Sequence, residues 1–204
     1  MLRNLQKLLS IPVLYEIVQV IMGAHSGRKY FATSHIKAKK GDFIIDFGCG
    51  TARILDYLPF VSYYGFDSSA SYIQSAIMRY GKNESMNFEC KTIGLDDVKY
   101  LESFDIALAV GVIHHLDDIQ ANYLVETACA CLKKGGRFVT LDPVYTDQQN
   151  PIARYLINKD RGGYVRDEAA YSKIMRRHFS KINHVVKSSN WVPYTRIYYE
   201  CIKS

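Results

Sequence analysis

The sequence predicts an α/β fold, a doubly wound and mostly parallel seven-stranded sheet with a C-terminal antiparallel hairpin and helices on both faces. Continuous apolar runs alternate with amphipathic helical patterns through most of the chain. This alternation is typical of a parallel sheet that is covered on both faces. The last two strand-like runs are joined only by residues 188–194. They must pair antiparallel, because a parallel crossover needs about a dozen residues or more.

The predicted elements follow one another in a regular order. Strands are predicted at FIIDFG, VSYYGFD, MNFEC, FDIALAV, GRFVTLDP, KINHVVK and TRIYYECIK. Helices are predicted between them at ARILDYL, ASYIQSAIMRY and DIQANYLVETACACL. We assign residues 41–204 to one α/β domain, in which residues 143–171 form an insertion after the fifth strand.

Residues 1–40 are predicted to form a helical lid segment. Ser10 is a suitable N-cap, and one amphipathic helix runs from it to about Met22. The apolar part of that helix is interrupted by polar residues and is far shorter than the roughly 20 residues of a membrane span. It lacks the small-residue cleavage site of a signal peptide. We therefore expect a buried or lid helix, followed by a second helix in the polar stretch up to Lys40.

Composition narrows the function classes. The chain has 204 residues, 48% hydrophobic and 23% charged, which suits one globular domain. The net charge of +6 tolerates anionic partners but lacks the clustered excess of a dedicated nucleic-acid binder. The five cysteines include no CxxC pair. This argues against a zinc site or a disulfide framework and favours a reducing, cytoplasmic location.

The stretch DFGCGTARIL follows the first predicted strand and has the form of a ligand-binding turn. Gly48 and Gly50 permit backbone angles that other residues avoid, so a ligand can approach the main chain closely. A nicotinamide or flavin site would need a small residue at position 53, where the chain has Arg53. A phosphate-binding P-loop would need a lysine that is absent here. The turn therefore indicates a different cofactor.

Two acidic residues indicate which cofactor that is. Asp46 precedes the glycines and would repel a pyrophosphate, but it suits a cationic α-amino group. Asp67 ends the second strand about 20 residues later, where an acid is placed to accept hydrogen bonds from ribose hydroxyls. A ligand that has an amine and an adenosine ribose but no pyrophosphate fits S-adenosylmethionine. Its product after methyl transfer would be S-adenosylhomocysteine.

Four segments taken together resemble the class I, Rossmann-like S-adenosylmethionine-dependent methyltransferases. DFGCGTA is similar to the first motif of that family and GFDSS to its ribose-binding motif. FDIALAVGVIHHLDD and LKKGGRFVTLDP are similar to its fourth-strand and fifth-strand motifs. The terminal antiparallel hairpin is also a hallmark of the family, and the resemblance covers about residues 41–204.

The resemblance implies a role for each cofactor-site residue. The backbone of the glycine turn would line the methionine moiety, Asp67 would bind the ribose with Ser68 beside it, and Arg28 is a candidate partner of the cofactor carboxylate. Arg28 is equally well explained as a solvated helix residue. Residues after the third strand would flank the adenine, and residues ending the fourth strand would lie under the sulfonium. The implied cofactor-binding residues are Arg28, Asp46, Gly48, Cys49, Gly50, Asp67, Ser68, Thr92, Ile93, Val110 and Gly111.

Methyl transfer to oxygen usually needs a base, and histidine is the side chain with a pKa nearest neutrality. His114 and His115 follow the fourth strand, where folds of this type place their sites. His115 is the first candidate for a base or orienting group, and both histidines can instead simply pack around the cofactor loop. Tyr145 comes directly off the fifth strand and is a third catalytic candidate. The other histidines have no carboxylate at metal-binding spacing, so the sequence predicts no metal site.

The segment after the fifth strand is rich in arginine and tyrosine, and the family builds its acceptor pocket there. Arginine can bind a carboxylate or phosphate and tyrosine can stack on a ring. An acidic, phosphorylated or aromatic small molecule would fit, although a helical insertion with solvated arginines would have the same composition. The candidate acceptor-binding residues are Asp142, Tyr145, Arg154, Arg161 and Arg166.

The sequence therefore favours methyl transfer to an oxygen or nitrogen of a small molecule. Methyltransferases that act on adenine or on exocyclic amines usually carry an N/D-P-P-Y/F motif after the fourth strand, where this chain has VGVIHHL. RNA remains an alternative acceptor, since Lys37, Lys39 and Lys40 could contact phosphates. A non-catalytic S-adenosylmethionine-binding protein is a second alternative, and a dehydrogenase is disfavoured by Asp46 and Arg53.

Overall fold

The computed structural model describes residues 24–160, 162–189 and 194–204. Helix α1 spans Ala24–Phe31 and continues into a π-helical turn at Ala32–Ile36, which agrees with the predicted second helix. The predicted helix ending near Met22 and the tip of the C-terminal hairpin lie outside the described residues. Within those three ranges, no helix has both the length and the apolar character needed to cross a bilayer.

The strands form one mixed sheet in the order β3-β2-β1-β4-β5-β8-β7, and a two-residue strand β6 pairs with β5. Neighbours among the first five are parallel, whereas β8 is antiparallel to both β5 and β7. The predicted seven-stranded sheet with its terminal hairpin is confirmed. The strands are β1 Phe43–Phe47, β2 Ser62–Asp67, β3 Met86–Cys90, β4 Phe104–Val110, β5 Leu132–Tyr145, β6 Arg166–Asp167, β7 Lys181–Ser189 and β8 Tyr194–Ile202.

Four further α-helices connect the strands, namely α2 Ala70–Tyr80, α3 Asp118–Cys131, α4 Pro151–Asn158 and α5 Glu168–Met175. Side chains fix where three of them begin. Asp117 and Gln120 form a capping box at α3, Asn150 caps α4 ahead of a proline in the first turn, and Asp167 caps α5. Each cap satisfies backbone N–H groups that the helix itself leaves unpaired.

The side chains of the central strands alternate between two cores, one on each face of the sheet. Ile45 and Ala107 belong to the core that α3 and α5 cover. Ile44 and Ile106 belong to the opposite core, together with residues of α1 and α2. Strand residues alternate in direction, so an almost continuous apolar strand requires an apolar cover on both sides.

The predicted helix at ARILDYL is wrong in type and length. The structure forms a 3₁₀ helix over Arg53–Tyr57 between Ala52, which has a left-handed backbone with φ 53°, and Leu58, which is extended. Leu58 precedes Pro59, and a proline disfavours helical geometry in the residue before it. The glycine turn therefore leads into a short 3₁₀ helix and not into a regular α-helix.

Candidate cofactor and acceptor site

The glycine turn lies at the carboxyl ends of β1 and β2, next to the point where the strand order reverses between β1 and β4. Gly48 and Gly50 have φ of 73° and 56°, in the left-handed region that favours glycine. A Cβ atom at Gly48 would lie 2.6 Å from Cγ2 of Val112, in the loop after β4. The turn thus requires glycine at position 48 both for its backbone angle and for its close contact with the neighbouring loop.

Asp67 joins the ends of the first two strands. Its Oδ2 accepts a hydrogen bond from Gly50 N at 2.9 Å, and its Oδ1 accepts one from Ser69 N at 2.8 Å. The carboxylate is half-buried, and Ser68 beside it is exposed. The residue predicted to bind the ribose is therefore held in place by the backbone of the turn predicted to bind the methionine moiety.

Asp46 is a buried carboxyl group with one free acceptor atom. It is 2% exposed, and its Oδ2 accepts a hydrogen bond from the Tyr63 hydroxyl at 2.5 Å. Its Oδ1 is buried without a hydrogen-bond partner among the described residues. Burial raises the pKa of Asp46 to about 7, with a further contribution from Asp67, although the Tyr63 hydrogen bond opposes the shift. A cationic group at Oδ1 would satisfy this carboxyl group, as the sequence analysis predicted.

The other predicted cofactor residues lie along the same edge of the sheet. Val110 ends β4, and Gly111 follows it with φ 69° and donates from its N–H to Leu141 O at 2.7 Å. Thr92 is exposed after β3, whereas Ile93 is buried in the core. Burial also raises the pKa of the Cys49 thiol far above its usual range, so it acts as an apolar lining group.

Arg28 lies in α1. The helix packs against the segment that follows the glycine turn, as the ring contact of His25 with Tyr57 at 5.1 Å shows. The Arg28 side chain is half-buried.

His114 is clamped between two carboxylates. The residue is 5% exposed; its Nδ1 lies 2.7 Å from Asp142 Oδ1 and its Nε2 lies 3.3 Å from Asp160 Oδ1. Burial alone would lower the pKa of His114, but the hydrogen bonds and charges of Asp142 and Asp160 outweigh it and raise the pKa to about 9. In this arrangement His114 already holds a proton at neutral pH, so it does not fit the predicted role of a base.

The segment after α4 covers His114. Tyr164 N donates to His114 O at 3.0 Å, and a Cβ atom at Gly162 would lie 1.9 Å from His114 Cδ2. Asp160 is fixed in turn, since it accepts hydrogen bonds from Gly162 N and from the Tyr194 hydroxyl. Asp160 and residues 162–164 thus lie closely against the loop that follows β4.

Arg166 links the loop after β4 to the segment after α4. Its guanidinium donates to the backbone oxygens of Ile113, Tyr164 and Leu116 at 3.2, 3.0 and 2.8 Å. It also donates twice to Asp118, at 3.0 and 2.8 Å. These contacts engage all five donors of the side chain. The geometry therefore favours a positioning role for Arg166 over the predicted contact with an acceptor.

The remaining predicted acceptor residues occupy different environments. Asp142 is 1% exposed, and its Oδ1 is engaged by His114, while its Oδ2 has no hydrogen-bond partner among the described residues. The Tyr145 hydroxyl donates to Asn158 at 2.7 Å, and the exposed Arg154 lies 5.3 Å from the Tyr145 ring. His115 is exposed, and its ring centroid lies 4.1 Å from that of His114. Arg161 lies outside the described residues.

Sequence reasoning missed three side chains that complete the site. Tyr63 bonds Asp46, Tyr194 bonds Asp160, and Asp160 itself reaches His114. Tyr63 is an ordinary apolar strand residue by pattern, and Asp160 and Tyr194 are distant from His114 along the chain. The Gly-Gly pair after Asp160 was the one local signal, because adjacent glycines often mark a close approach of backbone.

Comparisons with known proteins agree with this geometry. The family described as "Methyltransferase domain" matches residues 45–138, which run from β1 into β5. The ubiquinone biosynthesis O-methyltransferase of Nitrobacter winogradskyi is 33% identical over 98 residues, covering 46% of this chain and 35% of that protein. Its counterpart in Bradyrhizobium sp. is 34% identical over 101 residues, covering 47% and 38%. The matched part thus spans little more than a third of either relative.

Solved structures share the fold. Haemonchus contortus phosphoethanolamine N-methyltransferase 2, in complex with phosphomonomethylethanolamine and S-adenosylhomocysteine, superposes with a TM-score of 0.68 at 14% identity. The match covers 87% of this chain and 53% of that one. Together with the strand order, this match shows a Rossmann-like fold. Over residues 45–138 the chain matches the methyltransferase-domain family, and its fold resembles that of the class I S-adenosylmethionine-dependent methyltransferases.

Proposed function

We propose that the chain transfers the methyl group of S-adenosylmethionine to an oxygen or nitrogen of a small-molecule acceptor. The observation that supports this best is the joined pair of sites at one edge of the sheet. Asp67 and the glycine turn form one half, and the covered loop after β4 forms the other. An in-line displacement needs a bound methyl donor and an aligned nucleophile, and such positioning supplies several kcal/mol of the barrier.

In the proposed complex, Asp46 Oδ1 accepts a hydrogen bond from the α-amino group and Asp67 binds the ribose hydroxyls. Arg28 is the partner of the cofactor carboxylate, and Val110 and Gly111 lie under the sulfonium. His115 is the exposed group nearest the acceptor side and orients or deprotonates the nucleophile. Tyr145 and Arg154 lie together at the end of β5 and are the candidate contacts for an acidic, phosphorylated or aromatic acceptor.

The relatives agree with a small acceptor, since their names refer to ubiquinone biosynthesis and to phosphoethanolamine. An RNA acceptor is less well supported by the lysines. Lys39 lines a concavity of about 240 Å³ with Lys133, Lys134 and Arg137, at the amino ends of β1, β4 and β5. That surface lies on the edge of the sheet opposite the glycine turn, because the carboxyl ends of parallel strands share one edge.

We further propose a cytoplasmic location, where the cofactor is made.

The test is transfer of labelled methyl from S-adenosylmethionine into a host-cell extract that is fractionated into small molecules, lipids, RNA and protein. We expect label in the small-molecule or lipid fraction, lost with Asp67→Ala. Label in RNA would replace the proposed acceptor class. Cofactor binding without label in any fraction would support a non-catalytic binding protein instead.

A further inference from the structure

The loop after β4 and the segment after α4 bring together a set of metal-ligating side chains that sequence spacing did not reveal. His114, His115 and Asp160 each offer one ligand atom, and these atoms all lie within 4.8 Å of one another. We propose that these three residues bind a divalent transition-metal ion.

The distances at His114 fit a pair of metal ligands. A hydrogen bond from a charged nitrogen to a carboxylate is usually about 2.7–2.9 Å long, as the contact of His114 Nδ1 with Asp142 is at 2.7 Å. The contact of His114 Nε2 with Asp160 is longer, at 3.3 Å. A tetrahedral ion with bonds of about 2.1 Å places its ligand atoms about 3.4 Å apart. Nε2 and the Asp160 oxygen therefore already have the spacing of neighbouring ligands.

Asp142 supplies the support that a ligating histidine needs. Metal-bound histidines almost always donate their other ring nitrogen to a carboxylate or carbonyl, which fixes the ring and its tautomer. Asp142 is buried, accepts from His114 Nδ1 and also accepts from His114 N at 3.1 Å. This leaves Nε2 directed at Asp160, and a bound ion would replace the proton shared between them.

The remaining ligands also suit an ion with an open position. Tyr194 and the N–H of Gly162 hold the Asp160 carboxylate, and His115 is exposed at the opening of the site. Two imidazoles and one carboxylate are ligands that zinc, iron, cobalt and nickel accept. Three protein ligands leave at least one coordination position for a small molecule.

The site lies beside the position expected for the methyl donor. A Cβ atom at Gly111 would lie 3.7 Å from His114 Cε1, and Gly111 directly follows β4, at the position expected under the sulfonium. An ion here would bind an acceptor oxygen and lower the pKa of its hydroxyl group. His115 would then orient the nucleophile through the ion. This role rests on the proposed function, whereas the metal site itself does not.

The test is a titration of chelator-treated full-length protein with Co²⁺, followed by visible absorption. We expect saturable binding of one ion. His115→Ala and Asp160→Asn should each weaken it at least about 10–100-fold, the cost seen even when only a supporting group is removed. His184→Ala is the matched control, because His184 Nε2 pairs with Glu168 at 2.8 Å and neither residue belongs to the cluster. S-adenosylhomocysteine binding and thermal unfolding report whether each variant is folded.

Absence of saturable binding, unchanged affinity in folded His115→Ala, or an equal loss in His184→Ala would overturn the proposal. Saturable binding that depends on His115, in a protein that labels no fraction of the extract, would support the metal site while rejecting the proposed methyl transfer. Label transfer that survives chelation, in a protein that binds no Co²⁺, would reject the metal site and leave the proposed function standing.

Discussion

The two halves of the site are built in different ways. The cofactor half, at the ends of β1 and β2, consists mostly of backbone groups within contiguous motifs, with Asp67 bonding Gly50 and Ser69. The acceptor half consists of side chains that are far apart in sequence, such as His114, Asp142 and Asp160. Because the hydrogen bonds of Asp67 lie within the cofactor half and those of Asp160 lie within the acceptor half, cofactor binding and acceptor positioning should respond separately to mutation.

The largest expected effect is on the cofactor half. Asp67→Ala removes the acceptor of two backbone N–H groups together with the predicted ribose partner. Hydrogen bonds to a charged group contribute about 1.5–3 kcal/mol each, so S-adenosylhomocysteine affinity should fall about 100-fold or more. Isothermal titration calorimetry measures this directly.

The control is Asp147→Ala, which makes the same change in charge at an exposed aspartate of the acceptor half. It should bind S-adenosylhomocysteine as the wild type does. Affinity in Asp67→Ala within a few-fold of wild type would reject the assignment of Asp67.

Gly162→Ala, unlike Asp67→Ala, should reduce methyl transfer without reducing cofactor affinity. The added Cβ would meet His114 Cδ2 at 1.9 Å and His114 O at 2.6 Å, so the backbone at position 162 must move away from the loop after β4. A misplacement of about 1 Å can cost about 100-fold in rate. Methyl transfer should fall by about that factor while S-adenosylhomocysteine affinity stays unchanged.

Gly163→Ala is the matched control, since nothing described lies within 4 Å of a Cβ atom at that position. Equal losses in the two alanine variants would show that the loop does not depend on close packing against His114. A parallel loss of cofactor affinity in Gly162→Ala would show that the two halves are coupled.

Arg166→Met tests what holds the acceptor half together. The change leaves the carbonyl groups of Ile113, Tyr164 and Leu116 without their donor. The pairing with Asp118 adds little, because that carboxylate is 85% exposed and screened by water. We expect unfolding to become easier by about 2–3 kcal/mol in urea titrations. Arg154→Met, at an exposed site, should change stability by less than about 0.5 kcal/mol.

The smallest expected effect is the pH dependence of cofactor binding. The pKa of Asp46 is raised to about 7, and the proposed contact with the α-amino group needs the ionised carboxylate. Affinity for S-adenosylhomocysteine should therefore rise by about tenfold between roughly pH 6 and pH 8, since one pKa unit corresponds to about 1.4 kcal/mol. A flat profile over that range would contradict the role of Asp46.

Tyr63→Phe sharpens this test. Removing the hydroxyl that stabilises the charged form of Asp46 should move the midpoint of the affinity profile to higher pH.

The raised pKa of Asp46 has a second consequence, which concerns the stability of the wild-type protein without its cofactor. Its stability should fall as pH rises from the ordinary value of 3.8 towards about 7, because the folded state keeps a proton that the unfolded chain releases.

The contrast between the halves also explains what the sequence could and could not predict. The seven main strands and the antiparallel hairpin follow from hydrophobic patterning and short connections, which are local properties. The placement of Asp46, Asp67 and the two glycines follows from their positions at strand ends. The helix at ARILDYL was predicted wrongly because Ala52 and Pro59 restrict the backbone on both sides.

The acceptor half could not be derived in the same way. The pairing of His114 with Asp160 depends on how the segment after α4 folds back over the sheet. The sequence around His114 and Asp160 contains no local signal that predicts this pairing. For the same reason Asp142 and Arg166 were predicted as acceptor contacts, although tertiary packing engages them within the protein.

The position of β8 has a consequence for how the protein is made. This strand lies between β5 and β7, although it follows both along the chain. During synthesis the strands from β1 to β5 can pair in turn, but one edge of β5 stays open until β8 has left the ribosome. An open strand edge is prone to pair with other chains. The acceptor half would also be completed only then, because Tyr194 at the start of β8 bonds Asp160. In the nascent chain, the proposed cofactor site would thus form before the proposed acceptor site.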